Sequence, residues 1–224
     1  MKPTTVKPTT ARPDYCRSAS CMKTAKEYVA AATELLRSLD FGAVERTISR
    51  IRMVREHGAN IYVAGNGGSS AIASHWVNDL GKATKYPGCL PLRVMSLNDN
   101  VAWLSALAND EGYERVFSGQ LENFARPDDL LVVISASGNS PNLIRAVELA
   151  RSVGTFSVGL LGFDGGILMD QVDDCIWIPS RQGQYELVED LSNMVCHIMT
   201  MCLSQTRQLP HSKTGLHSSE FLAR

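Results

Sequence analysis

What this 224-residue chain has little of already narrows what it can be. Net charge is almost absent: 22 Lys and Arg face 23 Asp and Glu, a formal charge of −1. Without a basic field, electrostatically driven nucleic-acid binding is not expected. No uncharged apolar run reaches the roughly 20 residues of a membrane-spanning helix, and the first residues lack the apolar core of a signal peptide. Neither a membrane nor export is expected. Six cysteines (Cys16, Cys21, Cys89, Cys175, Cys196 and Cys202) are scattered without a CxxC pair. They are too sparse for a disulfide scaffold, which points to a reduced, cytoplasmic protein. The Walker-type lysine loop and GxGxxG are both missing, so nucleotide binding is not indicated.

What is present is globular. Hydrophobic residues make up 44% and the mean hydropathy is −0.08. A single domain of this length buries roughly 70% of its unfolded surface, so it needs no structural metal or disulfide to fold. Residues 1–21 stand apart: KPTT occurs twice, at Lys2–Thr5 and Lys7–Thr10, and four basic residues face one acid. Such a stretch buries too little apolar surface to offset its ordering entropy and is expected to be a flexible basic arm. Residues 208–224 are expected to be a polar tail, which leaves one domain over 22–207.

Apolar spacing predicts two helices, Met22–Leu39 and Phe41–His57, before any strand. From Asn60 the rhythm changes. Short β-branched runs at Ile61–Ala64, Leu92–Ser96, Leu130–Ser135, Thr155–Leu161 and Cys175–Ile178 alternate with helical segments at Ser70–Lys82, Asn100–Asn109, Tyr113–Phe124 and Pro141–Val153. A last helix is expected over Glu186–Arg207. Several runs are apolar throughout, as parallel strands covered on both faces are. The fold class is therefore α/β, one doubly wound parallel sheet.

Two strand-to-helix junctions share a composition. Gly65-Asn66-Gly67-Gly68-Ser69-Ser70 follows the first strand, and Ser135-Ala136-Ser137-Gly138-Asn139-Ser140 follows the third. Each places small residues and hydroxyls at a helix N-terminus on the carboxyl edge of the sheet, where backbone N–H groups favour an anion. Ordinary turn chemistry accounts for either loop alone, with Ser as N-cap and Pro141 at the first helical position. Two together suit a phosphomonoester. On the first of the two following helices His75 and Asp79 are four apart and share a face. On the last helix Glu186, Glu189, Asn193 and His197 form a polar stripe. Two imidazoles and two carboxylates suit general acid/base work, and by type they are also acceptable Zn²⁺ ligands.

GNGGSS at 65–70, His75, the AND of Ala108–Asp110, SASGNS at 135–140, GFDGG at 162–166, and Glu189 and His197 on the last helix together resemble the sugar isomerase (SIS) domain family, of the sedoheptulose 7-phosphate isomerase (phosphoheptose isomerase) type. The resemblance spans residues 22–203. It implies a five-stranded parallel sheet flanked by helices, an N-terminal helical pair and a homotetramer with sites between subunits. It also implies that Ser135, Ala136, Ser137 and Ser140 surround the phosphate, that Asn66, Gly67, Gly68 and Ser69 line the sugar, and that Asn109 and Asp110 meet its hydroxyls. Asp79, Glu189 and His197 fall on acid/base positions, with Asp79 and Glu189 also touching substrate. His75, Asp79, Glu189 and His197 fall on zinc-binding positions.

The chain departs from the family pattern at four places: Asp79 replaces a glutamate, Glu189 a glutamine, Ala136 a threonine and Ser192 a histidine. The activity implied is aldose–ketose isomerisation of a sugar phosphate, most directly sedoheptulose 7-phosphate to D-glycero-D-manno-heptose 7-phosphate. A different phosphosugar stays open, as does a non-catalytic module that senses a sugar phosphate or associates with a replication initiator.

Overall fold

A computed structural model describes residues 24–204. The basic arm at 1–21 and the tail at 208–224 lie outside the described residues. The chain opens with α1 (Ala25–Arg37), capped by Thr24 and Glu27 in a reciprocal box, and α2 (Phe41–Glu56), capped by Asp40. Then follow β1 (Asn60–Gly65), α3 (Gly68–Asn78), a π-helical turn over Asp79–Ala83, β2 (Arg93–Ser96) and α4 (Val101–Asp110). A 3₁₀ turn (Tyr113–Arg115) leads to α5 (Ser118–Phe124), β3 (Leu130–Ser135), α6 (Pro141–Val153), β4 (Phe156–Leu161), α7 (Gly166–Gln171), β5 (Asp174–Trp177) and α8 (Tyr185–Ser204).

All five strands are parallel, in the order β2-β1-β3-β4-β5. Every residue of β3 is buried, which is why its sequence shows no alternation. One face packs Ile48, Ile51, Trp76, Leu191 and Val195 from α2, α3 and α8. The other packs Leu107, Leu121, Leu143, Val147 and Leu168 from α4 to α7. α1 buries no residue and lies on α8, where the Tyr28 hydroxyl donates to Asp190 Oδ2 at 2.6 Å.

Three elements differ from the sequence reading. The predicted Ser70–Lys82 helix starts at Gly68, and its last turn widens into the π-turn at Asp79. The single Tyr113–Phe124 helix divides into a 3₁₀ turn and α5, and α7 was not foreseen. α7 has six residues and one buried side chain, Leu168, too few to show a helical period.

The connections out of β1 and β3 leave in opposite directions along the sheet. The carboxyl ends of these neighbouring strands therefore form its topological switch point, where open α/β sheets bind ligands. Both glycine- and serine-rich loops sit there.

Candidate active site

The two loops are tied to one another and to the rest of the fold. Asn66 and Asn142, the latter buried at the start of α6, exchange amide hydrogen bonds of 2.9 Å in both directions. The Tyr113 hydroxyl also donates to Asn66 Oδ1 at 3.1 Å. In the second loop Gly138 N donates to Ser135 Oγ at 3.0 Å, and Asn139 N donates to Ser137 Oγ at 3.3 Å. Gly138 has φ of +64°, and a β-carbon there would overlap the carbonyl of Gly165, so only glycine fits. The start of α7 latches this loop: Leu168 N donates to Gly138 O, and Ile167 N to Asn139 Oδ1, each at 3.0 Å. A β-carbon on Gly166 would overlap Ser137 O and the Asn139 amide, which accounts for the last glycine of GFDGG. Pro141 opens α6 as foreseen, but the Ser140 side chain makes no capping bond.

Between the loops lies a cleft of about 260 Å³. The loop residues that the resemblance places on phosphate and sugar, Asn66 to Ser69, Ser135 to Ser137 and Ser140, line it together with Tyr185 and Glu189 of α8. Tyr185 carried no sequence signal. Its ring meets Phe163 edge-on, with centroids 5.0 Å apart. A larger hollow of about 410 Å³ lies beside α2 at the start of β4 and β5. Its arginines are already engaged: Arg46 pairs with both Asp174 oxygens at 2.9 Å, and Arg50 lies over the Phe156 ring. The cleft at the switch point is the better candidate.

Glu189 is half-buried against Gly68. Burial raises its pKa above the ordinary value, and the charges of Glu186 and Asp190 add to the shift. Such a carboxylate takes and gives a proton more readily near neutral pH.

Further along α3 and α8 stands a second cluster. His75 Nε2 lies 2.9 Å from His197 Nε2, and Asp79 Oδ2 lies 3.3 Å from the first and 3.5 Å from the second. Zinc bonds of about 2.0–2.1 Å in a tetrahedron separate ligand atoms by roughly 3.3 Å, so these three donors fit three corners of such a site. Glu189 does not join them. It sits eight residues before His197 on α8, a rise of about 12 Å along the axis. Of the four residues that the resemblance places at a metal, His75, Asp79 and His197 are the three already gathered, while Glu189 lines the cleft. Asn109 and Asp110 do not line the cleft either. They end α4, where Asn109 Nδ2 donates to Asp110 Oδ1 at 2.7 Å. Burial pushes the thiols of half-buried Cys175 and buried Cys196 up to about 12, which disfavours the reactive thiolate.

The SIS domain profile matches residues 27–162, a span that takes in both loops and the sheet as far as β4. The chain belongs to the SIS domain family. Relatives within it include a probable phosphoheptose isomerase of Thermoplasma volcanium, 37% identical over 156 residues that cover 69% of this chain and 79% of that one. A phosphoheptose isomerase of Aneurinibacillus thermoaerophilus is 36% identical over 159 residues, 70% of this chain and 76% of the other. Among solved SIS structures, phosphoheptose isomerase GmhA from Neisseria gonorrhoeae superposes with a TM-score of 0.73 at 27% identity, covering 80% of this chain and 94% of that one. This SIS domain thus has the five-stranded parallel sheet and helical layers expected of it.

Proposed function

We propose that this chain is an aldose–ketose isomerase of a sugar phosphate, converting sedoheptulose 7-phosphate to a heptose 7-phosphate. The observation that carries the reading is one cleft at the switch point, with serine hydroxyls on one wall and a carboxylate of raised pKa on the other. The phosphoheptose isomerase relatives support the substrate class. The serines of 135–140 hold the phosphate, and this remote binding energy fixes C1 and C2 of the sugar. Glu189 takes the proton from C1 and returns it to C2 through an enediolate, while the C1 hydroxyl proton passes to the C2 oxygen; this requires one base within reach of both carbons. His75, Asp79 and His197 would hold a Zn²⁺, which when bound would supply a Lewis acid to polarise a carbonyl oxygen. This divides two roles that the sequence leaves shared between Asp79 and Glu189.

The assembly is a homotetramer. α1, which has no fully buried residue, and the exposed side chains Val29, Met194 and Met201 on α1 and α8 support it. The compartment is the cytoplasm, supported by the free thiols of Cys89, Cys175, Cys196 and Cys202 among the described residues. Among the described residues no helix is long and apolar enough to cross a membrane. Incubation with sedoheptulose 7-phosphate, followed by NMR of the sugar carbons, tests the activity. Aldose should form, and Glu189→Ala should lower kcat/KM by about 10²–10⁴. Absence of aldose with and without added Zn²⁺ refutes the reading and favours a non-catalytic module.

A further inference from the structure

Arg55, in the last turn of α2, is 7% exposed yet forms no ion pair among the described residues. Its Nη2 donates to Thr84 Oγ1 at 2.8 Å, and its Nη1 to Cys89 Sγ at 3.4 Å. Nε is buried with no partner at all. A guanidinium carries five N–H donors in a rigid fork, and sulfur is a weak acceptor. Thr84 compensates no charge, because its hydroxyl is a neutral acceptor that itself donates to Leu80 O at 2.6 Å. The carbonyl end of α2 is partly consumed by the capping N–H groups of His57, Gly58 and Ala59. A buried cation so poorly matched is costly unless an anion completes it.

The space for one is present. Arg55 lines a cleft of about 260 Å³ between the end of α2 and the segment leading to β2. Arg52 and Cys89 also line it. Arg52 is three residues before Arg55 and so lies on the same helix face. The one acidic lining residue, Glu56, is exposed and makes no pair with Arg55. This cleft shares no lining residue with the one at the switch point.

We propose that this cleft is a second anion site, in which Arg55 and Arg52 take the phosphate or carboxylate group of a small metabolite. Two oxygens of such a group match a guanidinium fork and bring the missing negative charge. The volume admits a ligand of a few carbons, below the size of most drug-like molecules. Cys89, within reach of the same guanidinium, is a built-in reporter.

The test is the rate at which iodoacetamide alkylates Cys89, resolved by peptide mass spectrometry, on the full chain. Inorganic phosphate and citrate are titrated in separate arms, and sodium chloride of matched ionic strength is the control. One or both anions should slow alkylation saturably, by about tenfold at ten times the dissociation constant. Protection by phosphate alone or by citrate alone assigns the group. Protection should persist in Ser137→Ala, which weakens the loop of the other cleft, and should vanish in Arg55→Met. If Arg55→Met does not fold, Arg52→Gln, at an exposed position, should shift the midpoint to higher anion concentration. The proposal is overturned if neither anion protects, if chloride protects equally, if Ser137→Ala abolishes the effect, or if both arginine variants leave the midpoint unchanged.

Discussion

The carboxylate of Glu189 stands in the space that a side chain on Gly68 would need. A β-carbon on Gly68 would overlap the Glu189 carboxyl group, although 121 residues separate them in sequence. The first residue of α3 is therefore glycine for the sake of a group on α8, and the contact sets how far that carboxylate reaches into the cleft.

Gly68→Ala should fold, since the obstacle is the far end of a flexible side chain rather than backbone. Its melting temperature is expected to stay close to the parent's. Displacing the carboxylate by about an ångström should nevertheless lower kcat/KM by about 10²-fold. Steady-state kinetics beside a melting curve separate the two effects. An unimpaired Gly68→Ala enzyme would remove Glu189 from the chemistry.

The raised pKa of Glu189 predicts a signed effect on stability. From its ordinary 4.5 up to its raised value, the folded chain holds a proton that the unfolded chain has lost. Stability therefore falls as pH rises through that window, and the penalty is complete above it. Glu189→Gln should melt above the parent at about pH 8 and level with it at about pH 4, below both values. Thermal denaturation in chelator-containing buffer at the two pH values checks this, and an equal offset at both would contradict it.

The triad of His75, Asp79 and His197 predicts where zinc is lost. His197→Ala should lower zinc affinity at least as much as the 10–100-fold typical of altered outer-shell partners. Glu189→Gln should retain the metal, because Glu189 stands apart from the three donors. Metal content after dialysis against a graded chelator distinguishes the three-donor site from one that includes Glu189.

Asn142→Ala should be costly although Asn142 does not itself line the cleft. It strands Asn66 Nδ2, leaving Oδ1 with the Tyr113 hydroxyl alone, and removes the direct tie between the two loops. A partner left unpaired costs about 1–3 kcal/mol, and in a domain of this size each kcal/mol lowers the melting temperature by about 2–4 °C. Calorimetry measures this. A rise in KM larger than the fall in kcat would show that the loops bind before they catalyse.

Much of this was legible in the chain. Leu130–Ser135 and Pro141–Val153 begin and end where their apolar runs and the proline say they should, because a doubly covered strand and a helix entry are encoded within a few residues. Their order already implied a doubly wound sheet, and the two loops announced themselves by glycine and hydroxyl content. Other features had no local signature. α7 is too short to show a period, and its value lies in gripping Gly138 and Asn139. The break of α3 into a π-turn at Asp79 leaves no mark on apolar spacing.

The sequence by itself determined the elements, their order and the chemical inventory: which strands are buried, and which serines, histidines and carboxylates are at hand. Only the tertiary structure decided how that inventory is divided. His75 and His197 lie 122 residues apart and meet at 2.9 Å, while Glu189, eight residues before His197 on the same helix, faces Gly68 instead. Hydrophobic period fixes local structure because it depends on neighbours within a turn or two. Which side chains share a site depends on how α3 and α8 pack across the sheet, and that is a property of the assembled core.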